Sequence, residues 1–240
     1  GIGLATAQLF AQEGAQVVLT GLHQDELDAA VAGIAAAGGK AIGLVADSAD
    51  PASPPRVFAK AIDAFGQVDI LVNNAGYGDM VSIEDCTDEH FERVVQINYA
   101  GVFRFCREAV RHFMPRNEGV IVNVTSVNGT LPGAGVAYTS TKGAVNTMTK
   151  NIAIRFTGTG IRCNAVAPGK TDTPMARSWA VGGLEGGTKM REHSACYSNG
   201  QLPPTQPTDQ ANAILYLASD MGRAVTGRVI TVDNGAYMAA

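Results

Sequence analysis

Tyr138 and Lys142 stand four residues apart in a stretch with helical spacing, so their side chains share one face. An ammonium beside a phenol stabilises the phenolate and lowers its pKa toward working pH, which equips the tyrosine as general acid and base for hydride chemistry. Ser126 ends a short apolar run, where its hydroxyl can donate to a carbonyl oxygen; the same hydroxyl also suits a turn or helix cap. Asn98 falls in the helical run Phe91 to Ala100, where an amide is a poor helix former unless its side chain has a specific partner. Gly1-Ile2-Gly3 leads into the helical pattern that begins at Leu4, and glycine there lets backbone N–H groups and a helix N-terminus approach a pyrophosphate closely.

The elements that must position these groups follow from periodicity. Strand-sized, nearly continuous apolar runs recur at Val17–Thr20, Ala41–Val45, Ile70–Val72, Val120–Val124, Cys163–Val166 and Val229–Val232. Such strands are buried on both faces, as when helices cover a parallel sheet. Helical spacing fills the intervals Asp25–Ala37, Pro54–Phe65, Tyr99–Phe113, Tyr138–Phe156 and Thr208–Ala218. The alternation predicts an α/β fold of one domain over residues 1–240: a Rossmann-type doubly wound parallel sheet with helices on both faces and ligands at the carboxyl ends of its strands. Those ends are small and polar: Asp47-Ser48, Asn73-Asn74-Ala75-Gly76, Thr125-Ser126, and Pro168-Gly169 with Thr171 and Thr173. No strand pattern stands before Gly1, which predicts a first strand and the start of the glycine-rich motif upstream. Residues 174–207 read as a long irregular segment, positioned to form a substrate loop or lid. Within it the sole Trp, Trp179, either lies against substrate or is a packed aromatic.

Composition narrows the partners. With 46% hydrophobic residues, 240 residues can bury one sizeable core. A net charge of −4, no basic stripe and 6% aromatics do not suit a nucleic-acid binder, so a small-molecule substrate is expected. Cys86, Cys106, Cys163 and Cys196 lie far apart without a C-x-x-C pair, which predicts reduced thiols, no metal site and a cytoplasmic location. No apolar stretch approaches the roughly 20 residues of a membrane span.

Asn73-Asn74-Ala75-Gly76, Asn98, Ser126, Tyr138-x-x-x-Lys142 and Pro168-Gly169, in this order and spacing, resemble the classical short-chain dehydrogenase/reductase family. The resemblance covers essentially the whole chain and extends to Thr231-Val232-Asp233-Asn234-Gly235, similar to the family's C-terminal V-D-G-G element. It implies an NAD(P)-dependent oxidoreductase interconverting a secondary alcohol and a ketone, with Tyr138 as proton donor or acceptor. Lys142 would tune Tyr138 and bind the nicotinamide ribose, Ser126 would orient the carbonyl oxygen, and Asn98 would hold a water linking Lys142 to solvent. The cofactor would run along Gly1, Ile2 and Gly3, with Asp47 and Ser48 near the adenine and Asn74, Ala75 and Gly76 beside it. Pro168, Gly169, Thr171 and Thr173 would lie on the nicotinamide side. The resemblance also implies self-association as a homotetramer or homodimer.

At the end of the second strand the family's acidic residue is replaced by Gly21-Leu22-His23. Without a carboxylate to repel a 2′-phosphate, this leans slightly to NADP(H), with His23 a partial phosphate partner. A hydroxysteroid or a 3-oxoacyl thioester would suit the small residues Leu131-Pro132-Gly133-Ala134-Gly135 near the pocket. The alternative is a cofactor-binding regulatory protein of the same fold with little turnover.

Overall fold

The computed structural model describes residues 1–180 and 187–237, with backbone alone for residues 178–180, 187–189 and 191. The side chain of Trp179 therefore lies outside the described residues. All six predicted strands form: β1 (Gln16–Gly21), β2 (Lys40–Val45), β3 (Ile70–Asn73), β4 (Glu118–Val124), β5 (Gly160–Pro168) and β6 (Val229–Val232). Helices alternate with them: α1 (Ile2–Gln12), α2 (Gln24–Ala36), α3 (Ser53–Phe65), α4 (Asp88–Val95), α5 (Val102–Phe113), α6 (Val136–Arg155), α7 (Pro174–Ala180), α8 (Gly187–Ser194) and α9 (Pro207–Ala218). Every strand pair is parallel.

The sheet comes in two pieces, a pair β1-β2 and a four-strand run β3-β4-β5-β6. The chain winds outward from β1 to β2 in one piece and from β3 to β6 in the other. The switch point of a doubly wound fold therefore falls between β1 and β3. Here runs a slot, bordered by Val17 and Leu19 on one side and Ile70 and Val72 on the other, with Phe10 of α1 and Phe58 of α3 on its two faces. The slot corrects one expectation. The strands β4 and β5 are buried almost throughout, as the apolar runs predict, but β1 and β3 are only partly covered because each lacks a neighbour on its inner edge.

Helices cover both faces. On one, α3, α5 and α6 pack through Phe58, Phe105, Phe113 and Val145 against Ile121 and Cys163; on the other, α1 and α9 pack Phe10, Ile214 and Leu217 against Val122 and Val166. Ile214 and Leu217 are fully buried, and truncating such a side chain to Ala costs about 2–5 kcal/mol. A polar rung crosses the first face: Asn73 Nδ2 donates to Asn123 Oδ1 on the neighbouring strand at 2.8 Å, and Asn123 Nδ2 donates to Thr149 Oγ1 of α6 at 2.9 Å. Because these amides are buried, the rung fixes α6, the helix that carries Tyr138 and Lys142, against β4.

Residues 174–207 differ from the expected irregular loop. Thr173 Oγ1 accepts the Ala176 N–H at 3.1 Å and Pro174 opens α7, the cap and first-turn proline of an ordinary helix start. Helix α8 and a 3₁₀ turn (Ala195–Tyr197) follow later in the same segment.

Candidate active site

Three of the four expected catalytic residues meet at the carboxyl end of β4. Ser126 follows that strand and caps a 3₁₀ turn (Val127–Gly129), its Oγ accepting the Asn128 N–H at 3.1 Å. The cap reading of Ser126 therefore holds, and the same hydroxyl acts on the Tyr138 phenol. The turn reaches α6 because residue 129 is glycine: a Cβ there would stand 2.8 Å from Asn146 Nδ2 and 2.9 Å from the Lys142 carbonyl carbon. Lys142 Nζ donates to the Val124 carbonyl at 3.0 Å and lies 5.7 Å from the centroid of the Tyr138 ring.

The electrostatics correct the sequence argument. Burial pushes the Tyr138 phenol up; the Ser126 hydrogen bond pulls it down, and the nearby Asp79 and Tyr237 push it further up. Burial lowers Lys142 from 10.5 to about 8. The expected lowering of the phenol is not found, because both groups are buried and desolvation, the largest cause for each, favours their neutral forms.

Asn98 is fully buried, in a π-helical turn (Gln96–Gly101) that joins α4 to α5. Its specific partner is the Tyr77 backbone: Nδ2 donates to the carbonyl and Oδ1 accepts the N–H, each at 2.7 Å. Gly76 lies between this amide and Lys142, since a Cβ there would lie 3.3 Å from Lys142 Nζ and 3.4 Å from Asn98 Oδ1. Widened turns of this kind recur at functional sites.

The cleft beside these residues has a volume of about 1940 Å³. Drug-sized sites occupy roughly 300–1,000 Å³, so it is larger than a small ligand needs, and it includes the slot between β1 and β3. Gly1, Ile2, Gly3, Gly21, His23, Ser48, Asn74, Ala75, Gly76, Pro168, Gly169, Thr171 and Thr173 all line it. The first turn of α1 has no side-chain cap, so its N–H groups suit the pyrophosphate of a dinucleotide. Gly3 is pressed against the Asn74 turn, where a Cβ would stand 2.6 Å from Asn74 Nδ2. These residues fit a nicotinamide dinucleotide.

Two candidates are not brought in. Leu22 is 62% exposed, and Asp47 is exposed with Oδ1 taken by the Ala49 N–H at 2.9 Å. Neither is among the residues that line the cleft, although their neighbours Gly21, His23 and Ser48 are. Thr171 is buried and shares its hydroxyl with Thr205 and Gln210, so it ties the loop after β5 to α9. Thr173 reaches the cleft while capping α7.

A family model described as enoyl-(acyl carrier protein) reductase, adh_short_C2, matches residues 1–237. The chain belongs to the short-chain dehydrogenase/reductase family. Among its relatives, a 3beta-hydroxysteroid dehydrogenase of Eggerthella lenta is 35% identical over 238 residues, which cover 98% of this chain and 90% of that protein. A 3-oxoacyl-[acyl-carrier-protein] reductase of Thermotoga maritima is 35% identical over 239 residues, covering 98% and 93%. The crystal structure of the 3-oxoacyl-[acyl-carrier protein] reductase from Brucella melitensis superposes with a TM-score of 0.84 at 29% identity, covering 100% of this chain and 88% of that one. This short-chain dehydrogenase/reductase is therefore an oxidoreductase acting on CH–OH groups with a nicotinamide cofactor.

Several cleft residues escaped the sequence reading. Glu26, in the first turn of α2, lines the cleft on the same side as His23. Met80 and Ala134 cluster with Tyr138, and Met190 of α8 packs against that cluster. Asp79 and Tyr237 act on that phenol through space. Only Glu26 left a signal, as an acidic residue opening a predicted helix; the others are placed by tertiary contacts. Among the described residues no helix is long and apolar enough to cross a membrane, and no group of three or more His, Cys, Asp or Glu is placed to hold a metal ion.

Proposed function

We propose that this short-chain dehydrogenase/reductase interconverts a bulky, largely apolar secondary alcohol and its ketone, with Tyr138 as the acid/base group. The observation that carries the reading is the Ser126–Tyr138 hydrogen bond at the carboxyl end of β4, with Lys142 Nζ 5.7 Å from the phenol ring. The nicotinamide supplies or accepts the hydride. Ser126 donates to the substrate oxygen and holds it at the phenol, Tyr138 gives or takes the proton at that oxygen, and Lys142 supplies positive charge beside the developing phenolate and a donor for the nicotinamide ribose. Asn98, buried behind Gly76, keeps the Tyr77 backbone in place and with it the polar path by which a water relays protons to Lys142.

The apolar character of the substrate is supported by a side cavity of about 160 Å³ lined by Met80, Leu131, Ala134, Tyr197 and Tyr237, to which Asn128, Ser194 and Ser198 add polar groups. A hydroxysteroid or 3-oxoacyl thioester, as named for the relatives, fits this lining. The cofactor preference is a slight one for NADP(H), carried by His23 and opposed by Glu26. Exposed Phe91, Tyr99, Phe103 and Ile154 on the elements from α4 to α6 support assembly as a homotetramer or homodimer.

Absorbance at the reduced-nicotinamide band, with NAD or NADP against a panel of hydroxysteroids, 3-oxoacyl thioesters and sugars, tests the reading. Turnover that falls by about 10²–10⁴ in Tyr138→Phe is expected. Cofactor binding with no turnover across the panel would instead favour a regulatory protein of the same fold.

A further inference from the structure

Asp79 is the least expected residue near the catalytic group. It lies between β3 and α4 and is 1% exposed, yet it is a carboxylate. Buried carboxylates are stable only when something holds them. Here Oδ1 accepts the Val81 N–H at 3.0 Å, and Oδ2 lies 3.5 Å from Nε2 of His90 on α4. The carboxylate also rests directly on the start of α6: a Cβ at Gly135, three residues before Tyr138, would overlap Asp79 Oδ1. Two backbone bonds fasten the same junction, Gly135 N–H to the Asp79 carbonyl and Val136 N–H to the Val81 carbonyl, each at 3.0 Å. The next residue, Met80, packs on Tyr138 itself.

A negative charge at the N-terminus of α6 meets the positive end of the helix dipole, which accounts for its tolerance there. It also acts through space on the phenol that the proposed reaction must ionise. The groups surrounding that phenol are Lys142 on its own helix, Ser126 after β4, Tyr237 after β6 and Asp79 after β3. Asp79 in turn faces His90 from α4 and Cys86 from the loop before it. Among these, Asp79 and Lys142 act on Tyr138 in opposite directions: the lysine favours phenolate and the carboxylate favours phenol.

We propose that Asp79, buried beside His90 at the start of α6, is a positioning residue for Tyr138 whose carboxylate opposes formation of the phenolate and so widens the pH range over which the phenol serves as proton donor. The inference rests on the acid/base role of Tyr138 given above. Removing the carboxylate's charge should make the phenolate easier to form, so alcohol oxidation, which needs the phenolate, should extend to lower pH.

The test is a phenolate titration by ultraviolet absorbance, taken as the difference between the parent and Tyr138→Phe, together with the pH profile of kcat/KM for oxidation. Asp79→Asn should move the Tyr138 midpoint to lower pH by about 0.5 to 1, a roughly 3- to 10-fold gain in phenolate at fixed pH. His90→Arg, which leaves the carboxylate and sets beside it a cation that stays charged through the titration, should move the midpoint the same way and covers the case in which Asp79→Asn fails to fold. His90→Gln, which keeps a donor without adding charge, should leave it in place. A midpoint unmoved in both charge-altering variants, or moved upward, overturns the proposal, even where thermal stability falls as for a purely structural residue. The absorbance titration needs no substrate, so it still reports on Asp79 if the catalytic reading itself fails.

Discussion

Lys142 sits 5.7 Å from the Tyr138 ring centroid and is held there by the Val124 carbonyl at 3.0 Å. This arrangement costs stability as it enables chemistry. The folded-state pKa of Lys142, about 8, lies below its ordinary 10.5. Between those values the unfolded chain binds the extra proton, so stability rises with pH; below about 8 both states are protonated and the full burial cost remains. Lys142→Met has no such proton. From pH 7 to pH 10 the cofactor-free parent should gain stability relative to Lys142→Met by on the order of 2–3 kcal/mol. Denaturant unfolding of both proteins at the two pH values measures this, and a constant gap would show that Lys142 is not buried as described. Turnover in the variant should drop by about 10²–10⁴.

Gly3 and Asn74 meet where the first turn of α1 crosses the turn after β3. Gly3→Ala would place a methyl 2.6 Å from Asn74 Nδ2, and since that atom ends a side chain, the amide can swing aside. The damage should therefore fall on the cleft more than on the fold. We expect a cofactor Kd weakened by about tenfold or more, with thermal stability changed little. Asn74→Ala introduced into the same chain should recover part of the loss, a coupling that a double-mutant cycle reads directly. Independent, additive effects would mean that the two residues do not share the site.

Cofactor preference turns on two side chains at the mouth of the cleft, His23 and Glu26. Glu26 repels a 2′-phosphate whereas His23 attracts one only when protonated, so the two largely offset each other and any preference for NADP(H) over NAD(H) should stay below about tenfold in kcat/KM. Glu26→Gln should widen the preference and His23→Ala should reverse it. A strong preference that neither variant alters would place discrimination elsewhere.

How much of this was legible in the sequence depends on how local the cause was. The strands announced themselves because β-branched runs such as Val120–Val124 and Val229–Val232 tolerate little else, and Tyr138 and Lys142 share a face by helical spacing alone. Thr173-Pro174 carried a complete helix-start signal inside a segment that otherwise read as loop. What stayed hidden depends on tertiary approach. Nothing local reveals that Gly129 lets the Ser126 turn touch α6, that Asp79 is buried under α6, or that Leu22 points outward while Glu26, four residues later, lines the cleft. The rise of the Tyr138 pKa was misjudged for the same reason, since spacing shows the ammonium but not the desolvation that opposes it.

The slot between β1 and β3 yields the last prediction. Val17 and Leu19 of β1 and Ile70 and Val72 of β3 line it, and Phe10 and Phe58 add apolar surface. Gly1 lies at its carboxyl end, where Gly3 touches Asn74 and Gly1 approaches Thr173. A parallel strand in the slot would run directly into α1 and complete a βαβ unit with β1. Extending the chain ahead of Gly1 by about six β-branched apolar residues, the length of β1, should fill it. Each Val or Ile so buried contributes about 1.5–3 kcal/mol before the entropy of ordering, enough to raise Tm by on the order of 10 °C. Amide exchange at Val17–Leu19 and Ile70–Val72 should slow in the same variant and remain fast with a polar extension of equal length. If the apolar extension left both Tm and exchange unchanged, the slot would not be a strand site, and the partial burial of β1 and β3 would be their settled state.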